Sequence, residues 1–148
     1  MDLYCPRVLI VDDQPDNADS LAKLVNLWGY DGEARYSGAT ALGSVRAQRP
    51  AVVLLDLEMP GMSGFEFVLR LRETRGGEQI AVIAISGHTT RSCRARAREL
   101  GIDHYLFKPA NLVQLRELVE RLCATSEPVE VRTRSQRHEV LDCLTVGV

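Results

Sequence analysis

The chain has 148 residues, which suffices for one domain with a single substantial core. Its formal net charge of -2 provides no overall electrostatic footprint for nucleic acid, so direct nucleic-acid binding is not expected. The four cysteines show neither metal-ligand nor disulfide-framework spacing, and the N-terminal apolar run is too short for a signal peptide or a membrane span. We therefore expect a cytoplasmic protein with no membrane attachment.

Short apolar runs alternate with amphipathic segments along the chain. The predicted strands, of which the second is weak, cover residues 8–11, 33–36, 51–56, 80–85 and 103–107. Helices are predicted between them and after the last. Pro15 suits the first turn of one helix, Ser37 is a plausible N-cap, and Asn111 with Gln114 forms a capping pair. This alternation predicts an α/β fold in which helices cover both faces of a parallel sheet.

Polar side chains follow the strongly apolar strands at the points where these strands end. They are Asp12 and Asp13, Asp56, Ser86, and Lys108. Because the carboxyl ends of parallel strands lie along one edge of a sheet, we expect these groups to converge. Clustered carboxylates repel one another, and Mg²⁺, which prefers oxygen ligands and often bridges carboxylates to phosphate, would relieve that repulsion.

The same groups suit phosphoryl chemistry. Lys108 supplies a point charge and Ser86 a hydroxyl donor for phosphoryl oxygens, which leaves Asp56 as a nucleophile that forms an acyl phosphate. An Asp directly after a strand is also often only a helix cap, so this residue taken alone does not decide between the two interpretations.

Taken in order, these residues resemble the receiver domains of two-component response regulators, in particular the chemotaxis-type single-domain members. The resemblance covers the chain from about residue 7 to residue 122. The matching residues are Asp12-Asp13, Asp56-x-x-Met59-Pro60-x-Met62-x-Gly64, Ser86, Tyr105 and Lys108-Pro109. It implies a flavodoxin-like, doubly wound sheet of five parallel strands in the order 2-1-3-4-5.

The resemblance also implies roles for individual residues. Asp56 would be the phosphoacceptor, supplied by the phosphohistidine of a histidine kinase or of a histidine phosphotransfer protein. Lys108 would contact the phosphoryl group, the Lys108-Pro109 peptide bond would be cis, and Ser86 and Tyr105 would form the conformational switch. The Mg²⁺ ligands would be Asp12, Asp13, Asp56 and the backbone carbonyl of Glu58. Such a domain is not an enzyme beyond its own phosphorylation and dephosphorylation.

Two residues beside the site vary within the family. Glu58 and His88 lie two residues past Asp56 and Ser86, respectively. We hypothesise that they face each other and tune hydrolysis of the acyl phosphate. The alternative is that both are merely solvated loop residues.

A basic helix defines the expected signalling surface. The face formed by residues 89–122 is the usual output surface of receivers. Its first helix carries arginines at four positions, Arg91, Arg94, Arg96 and Arg98. Such a run is usually only a solvated face, but here it is also suited to an acidic downstream protein or to a homodimer contact.

Residues 1–123 are predicted to form the receiver domain, and residues 124–148 a linker-like and then apolar extension. This extension is too short for an independent domain. It could pack on the receiver, mediate dimerisation or be disordered. The chain is either a stand-alone receiver or a piece of a hybrid histidine kinase or larger regulator.

Two other classes compete with this prediction. A haloacid-dehalogenase-type enzyme also uses a strand-terminal Asp with Mg²⁺, but it needs a second Asp where Glu58 stands, and a cap domain. A receiver-like scaffold that is never phosphorylated is the other alternative, although none of the chemical positions is missing here.

Overall fold

The computed structural model describes residues 5–87 and 90–125, and within them five strands form one sheet. The strands are β1 Arg7–Val11, β2 Asp31–Arg35, β3 Val52–Asp56, β4 Ala81–Ser86 and β5 His104–Phe107. Neighbouring strands are all parallel, and their order is β2-β1-β3-β4-β5. The predicted doubly wound parallel sheet and its strand order are confirmed.

Helices follow each strand, and their ends agree with the predicted capping residues. They are α1 Pro15–Leu27, α2 Gly38–Ala47, α3 Gly64–Glu73, α4 Arg91–Glu99 and α5 Leu112–Ala124, with a short 3₁₀ helix at Gly77–Gln79. The Ser37 hydroxyl accepts the Thr40 N–H at 3.2 Å, and Asn111 Oδ1 accepts the Gln114 N–H at 3.1 Å. These contacts satisfy backbone donors that a helix start leaves without intrahelical partners.

The two faces of the sheet bury different residues of the same strands. Leu9 and Val11 of β1 join a cluster with residues of α2, α3 and α4. Val8 and Ile10 point the other way, into a cluster with α1 and α5. Each fully buried aliphatic side chain contributes roughly 1.5–3 kcal/mol. A slip of one residue would exchange the two faces, so the core fixes the position at which each strand ends.

The edge strand β2 is where the sequence was least informative. It spans Asp31–Arg35 rather than the predicted residues 33–36, and its residues are exposed or half-buried. Polar contacts contribute to its position. The buried Arg7 side chain pairs with Glu33 and donates to the Ser44 hydroxyl at 3.0 Å. An edge strand that depends partly on such contacts lacks the continuous apolar run that marks a central strand.

Several predictions for one loop and for the C-terminal segment lie outside the described residues. They concern His88, the start of the basic helix at Thr89, and the possible edge strand and apolar end within residues 126–148. Helix α4 begins at Arg91, with Thr90 as its N-cap, and α5 extends to Ala124. Within residues 5–87 and 90–125, none of the helices combines the length and the apolar character that a membrane crossing requires.

The turn from β3 into α3 depends on a close backbone approach at Gly64. A Cβ atom at this position would lie 2.6 Å from Leu57 Cα and 2.9 Å from the Asp56 carbonyl oxygen. The Gly64 N–H also donates to the Leu57 carbonyl at 3.2 Å. Any larger residue would push α3 away from the end of β3, where Asp56 lies.

We expect Gly64→Ala to destabilise the protein by about 1–3 kcal/mol, because backbone atoms cannot move aside as a side chain can. The matched control is Gly43→Ala on the exposed face of α2, where an added Cβ meets nothing within 4 Å. That change should stabilise by about 0.5–1 kcal/mol through helix propensity. Urea unfolding of both variants measures the difference, and equal effects would contradict the close-approach argument.

His104 is buried at the start of β5, with 4% of its surface exposed. Its Nε2 atom has no hydrogen-bond partner among residues 5–87 and 90–125. Burial, with a smaller effect from Arg121, lowers the pKa of His104 from 6.5 to about 4. The imidazole is therefore neutral in the folded protein at neutral pH.

This residue should make the protein acid-sensitive. Between pH 6.5 and about 4, the unfolded chain binds a proton at His104 and the folded chain does not, so stability falls as the pH decreases. The loss should reach about 3.5 kcal/mol at most, at about 1.4 kcal/mol per pKa unit. Chemical unfolding of His104→Gln at several pH values should show a shallower acid slope than the parent. Parallel slopes would contradict this assignment.

Candidate functional site

The register of the central strands places two carboxylates side by side. Val11 pairs with Leu55 across β1 and β3, so Asp12, which directly follows β1, lies level with Asp56 at the end of β3. Asp13 comes next along the chain. Each of the three aspartates offers an oxygen atom, and these atoms all lie within 4.8 Å of one another. The three acids therefore converge at one edge of the sheet, as the sequence predicts.

Asp56 is the most buried member of this cluster, with 6% of its surface exposed. Its Oδ1 atom accepts the backbone N–H of Glu58 at 3.0 Å and lies 3.2 Å from the Lys108 ammonium. The backbone of Lys108 is held near the sheet, because its amide N–H donates to the Ser86 carbonyl at 2.9 Å. The Lys108-Pro109 peptide bond is cis.

Asp12 shows the electrostatic cost of this arrangement. Burial raises the pKa of its carboxyl group, and the negative charges of Asp56 and Asp13 raise it further. A hydrogen bond from the Gln14 N–H at 3.0 Å and the positive charge of Lys108 act in the opposite direction. The net effect disfavours the ionised form of Asp12, first because burial desolvates its carboxylate and then because two like charges lie beside it.

The donor set fits a hard divalent cation. All three clustered groups are carboxylates, and Lys108 contributes the only positive charge described here in direct contact with them within residues 5–87 and 90–125. Oxygen ligands with excess negative charge suit Mg²⁺, which is usually held by one or two carboxylates together with phosphate oxygens and water.

Ser86 lies at the end of β4, next to the Asp56 strand, and is fully buried. Its hydroxyl donates to Glu58 Oε1 at 3.0 Å, and the same oxygen accepts the Gly87 N–H. A further hydrogen bond joins the hydroxyl groups of Ser86 and Tyr105. The predicted switch pair, Ser86 and Tyr105, is therefore in direct contact.

The contact made by the Glu58 side chain was not predicted. The Glu58 carboxylate accepts hydrogen bonds from Ser86 and Gly87. The hypothesis that Glu58 faces His88 stays a prediction, because His88 lies outside the described part of the chain. The signal that was available is the position of an acid two residues past Asp56. Its partner depends on the path of the turn after β3, which residue spacing does not determine.

A cavity of about 560 Å³ opens beside the three-aspartate cluster, between α1 and α5. Asp12, Asp56 and Lys108 line its polar end. Apolar side chains of the two helices line the remainder, among them Leu21, Leu24, Leu112 and Leu115. Asp56 is thus reached from the side of the sheet that carries α1 and α5.

The arginines of α4 divide into two groups. The Arg94 guanidinium lies 5.6 Å from the ring centre of Phe107, and that of Arg96 lies 4.7 Å from the ring centre of Phe65. These two contacts attach α4 to β5 and α3. Arg91 and Arg98 are exposed. The basic run is therefore partly structural, although Arg96, like Arg91 and Arg98, is exposed, so that three of the four arginines face solvent.

Comparisons with known proteins agree with this geometry. A family model described as "Response regulator receiver domain" matches residues 8–120. The DNA-binding response regulator MtrA of Mycolicibacterium smegmatis is 33% identical over 147 residues, which cover 99% of this chain and 59% of MtrA. An uncharacterised 14.6 kDa protein of Leptolyngbya boryana is 31% identical over 121 residues, covering 82% of this chain and 92% of that protein.

Among solved structures, chemotaxis protein CheY4 of Vibrio cholerae superposes with a TM-score of 0.76 at 26% sequence identity. The match covers 80% of this chain and 99% of CheY4. The chain spans most of the smaller relatives but only about three fifths of MtrA. With the family match, the strand order and the acidic cluster in agreement, this chain belongs to the response regulator receiver domain family, a family of signalling domains of two-component systems.

Proposed function

We propose that this receiver domain accepts a phosphoryl group on Asp56 and thereby switches a protein-binding surface. The observation that carries the proposal is the clustering of Asp12, Asp13 and Asp56, with the Lys108 ammonium 3.2 Å from Asp56 Oδ1. A nearly buried carboxylate among two further acids and one cation is suited to nucleophilic attack rather than to helix capping.

The proposed reaction transfers a phosphoryl group from a phosphohistidine to Asp56. Asp56 Oδ1 is held by Lys108 and by the Glu58 N–H, so Oδ2 is the oxygen that attacks phosphorus. The new Oδ2–P bond forms as the P–N bond of a partner's phosphohistidine breaks. The bonding electron pair goes to the imidazole nitrogen, which takes a proton from solvent. Burial of Asp56 keeps competing water away during the transfer.

Mg²⁺ would be held by Asp12, Asp13, Asp56 and the backbone carbonyl of Glu58. When bound, the ion supplies charge neutralisation for the phosphoryl oxygens. Lys108 supplies the second positive charge, because its ammonium is close enough to pass from Asp56 Oδ1 to a phosphoryl oxygen.

Ser86 and Tyr105 would carry the change outward. We propose that the Ser86 hydroxyl moves to a phosphoryl oxygen and that the Tyr105 ring turns inward, which alters the face formed by residues 89–122. A phosphoryl group can shift this equilibrium only through contacts that exist in one of the two states. The Ser86 contact is one such contact.

The partners of the domain follow from this chemistry. The phosphoryl donor would be a histidine kinase or a histidine phosphotransfer protein that reaches Asp56 beside α1 and α5. Exposed Arg91 and Arg98 suit an acidic downstream protein, or a homodimer contact, on the α4 side. The absence of direct nucleic-acid contact remains a prediction, since MtrA, of which this chain matches 59%, is a DNA-binding regulator.

Whether the domain acts alone or within a larger regulator or hybrid kinase also remains a proposal, as does an unphosphorylated scaffold role. The division at residue 123 and the role of residues 124–148 likewise stay predictions. So does the hypothesis that Glu58 and His88 tune hydrolysis of the acyl phosphate. Autodephosphorylation rates of Glu58→Ala and His88→Ala measure that tuning.

We expect incubation with acetyl phosphate and Mg²⁺ to add one phosphoryl group to the chain, detected by intact mass. Asp56→Asn should remove the adduct, because the amide lacks the nucleophilic oxygen charge. Omitting the metal should also abolish it. Persistence of the adduct in the Asn variant would contradict the assignment of Asp56, and no adduct on a folded parent protein would favour the scaffold role.

Asp12→Asn should weaken Mg²⁺ binding by about tenfold or more, because a charge-assisted contact worth about 1.5–3 kcal/mol is lost and 1.4 kcal/mol is a factor of ten. Titration calorimetry measures the change. Glu120→Gln is the control, since Glu120 pairs with Arg116 on the exposed face of α5. Its affinity should match the parent's. Equal affinities in all three proteins would place the ion elsewhere.

A further inference from the structure

The side chain of Glu58 bridges the turn after β3 and the end of β4. Its Oε1 atom accepts the Ser86 hydroxyl at 3.0 Å and the Gly87 N–H at 2.5 Å. The contact is close, because a Cβ atom at Gly87 would lie 3.1 Å from the same oxygen. One carboxylate oxygen thus binds the two donors that follow one another at the carboxyl end of β4.

These donors cannot serve two acceptors at full strength. A serine hydroxyl has one O–H donor, and a backbone amide has one N–H. While the Ser86 hydroxyl donates to Glu58, it is not available to a phosphoryl oxygen on Asp56. The Glu58 contact and the Ser86 contact proposed for the phosphorylated state are therefore mutually exclusive.

We infer that the Glu58 carboxylate is an internal ligand of the Ser86–Gly87 donors, which a phosphoryl group on Asp56 must displace. This inference rests on the proposed function of Asp56. It assigns Glu58 a positioning role that differs from an effect on the attacking water, because it acts in the unphosphorylated protein. Part of the free energy that phosphorylation supplies for the conformational change is therefore used to break the hydrogen bonds of Glu58.

The same contact reaches the signalling face. Ser86 is hydrogen-bonded to Tyr105, whose electrostatic neighbours include Cys93 and Arg94 of α4. Hydrogen bonds thus connect Glu58 to Ser86 and Ser86 to Tyr105. A change in the Glu58 contact would therefore reach Tyr105 through Ser86.

A simpler effect must be separated from this one, because any carboxylate near Asp56 repels an incoming anion. Repulsion alone predicts that Glu58→Ala and Glu58→Gln behave alike, as both remove the charge. Competition for donors predicts a graded series. The glutamine amide retains an acceptor oxygen, and its neutral hydrogen bonds are roughly half as strong as charge-assisted ones.

The test is the affinity of the whole chain for beryllofluoride with Mg²⁺, a phosphoryl mimic that needs no group transfer. We expect Glu58→Ala to bind it about tenfold more tightly than the parent, and Glu58→Gln about threefold, given the relative strengths of charged and neutral hydrogen bonds. Asp16→Asn, which removes an exposed acid from the first turn of α1, is the matched charge control. It should change affinity by less than about twofold, since exposed charges are largely screened.

An amide NMR spectrum of the ligand-free protein provides the second readout. Loss of the hydrogen bond to Glu58 should shift the Gly87 N–H resonance of Glu58→Ala upfield and leave distant amides unchanged. Unchanged distant amides would also show that the variant folds. Equal beryllofluoride affinity in parent, Gln and Ala proteins would overturn the competition and leave the proposed function intact. Equal gains in affinity for Glu58→Ala and Glu58→Gln would overturn the competition in favour of charge repulsion alone. No binding by any of the three would overturn the proposed function itself.

Discussion

The concentration of negative charge at one edge of the sheet is the constraint on which the rest of the structure depends. Asp12, Asp13 and Asp56 come within 4.8 Å of one another, against one nearby ammonium group from Lys108. The ionised form of this arrangement is unfavourable by itself, since burial, and to a smaller extent the neighbouring carboxylates, raise the pKa of Asp12. Burial of the core strands compensates for this repulsion. Strands β1 and β3 are buried along their full length on both faces, and the free energy of that burial holds their ends in place.

The division of the core into two clusters explains why chemistry is confined to the strand ends. Along β1 and β3, successive side chains point to opposite faces, and both faces are covered by helices. A charged group in the middle of either strand would be desolvated without a partner. At the strand ends this restriction ends. Asp56 and Ser86 are the last residues of β3 and β4, and the turns beyond the strands carry Asp12, Asp13 and Lys108. The stable and the reactive parts of the domain therefore share strands but no residues of the core.

Sequence patterns predicted what depends on burial and local capping. The apolar runs before Asp12, Asp56 and Ser86 predicted the central strands, and Ser37 and Asn111 predicted two helix starts, because these signals act within a few residues. The edge strand β2 was misplaced, since its contacts with Arg7 are polar and distant in sequence. The partner of Glu58 was missed for a related reason. Twenty-eight positions separate it from Ser86, and only the three-dimensional path of two turns brings them together.

Burial of the Ser86 hydroxyl gives the Glu58 contact a physical reason. Ser86 has no exposed surface, and a buried donor without an acceptor costs about 1–3 kcal/mol. A phosphoryl oxygen could accept this hydrogen bond only while Asp56 is modified, so the unmodified domain needs another acceptor. Glu58 supplies one, and because its carboxylate binds Ser86 and Gly87, its own charge is stabilised without the help of a metal ion. In the proposed switch, the buried Ser86 hydroxyl thus requires a resting partner, and the strength of that partner would determine how strongly phosphorylation must act.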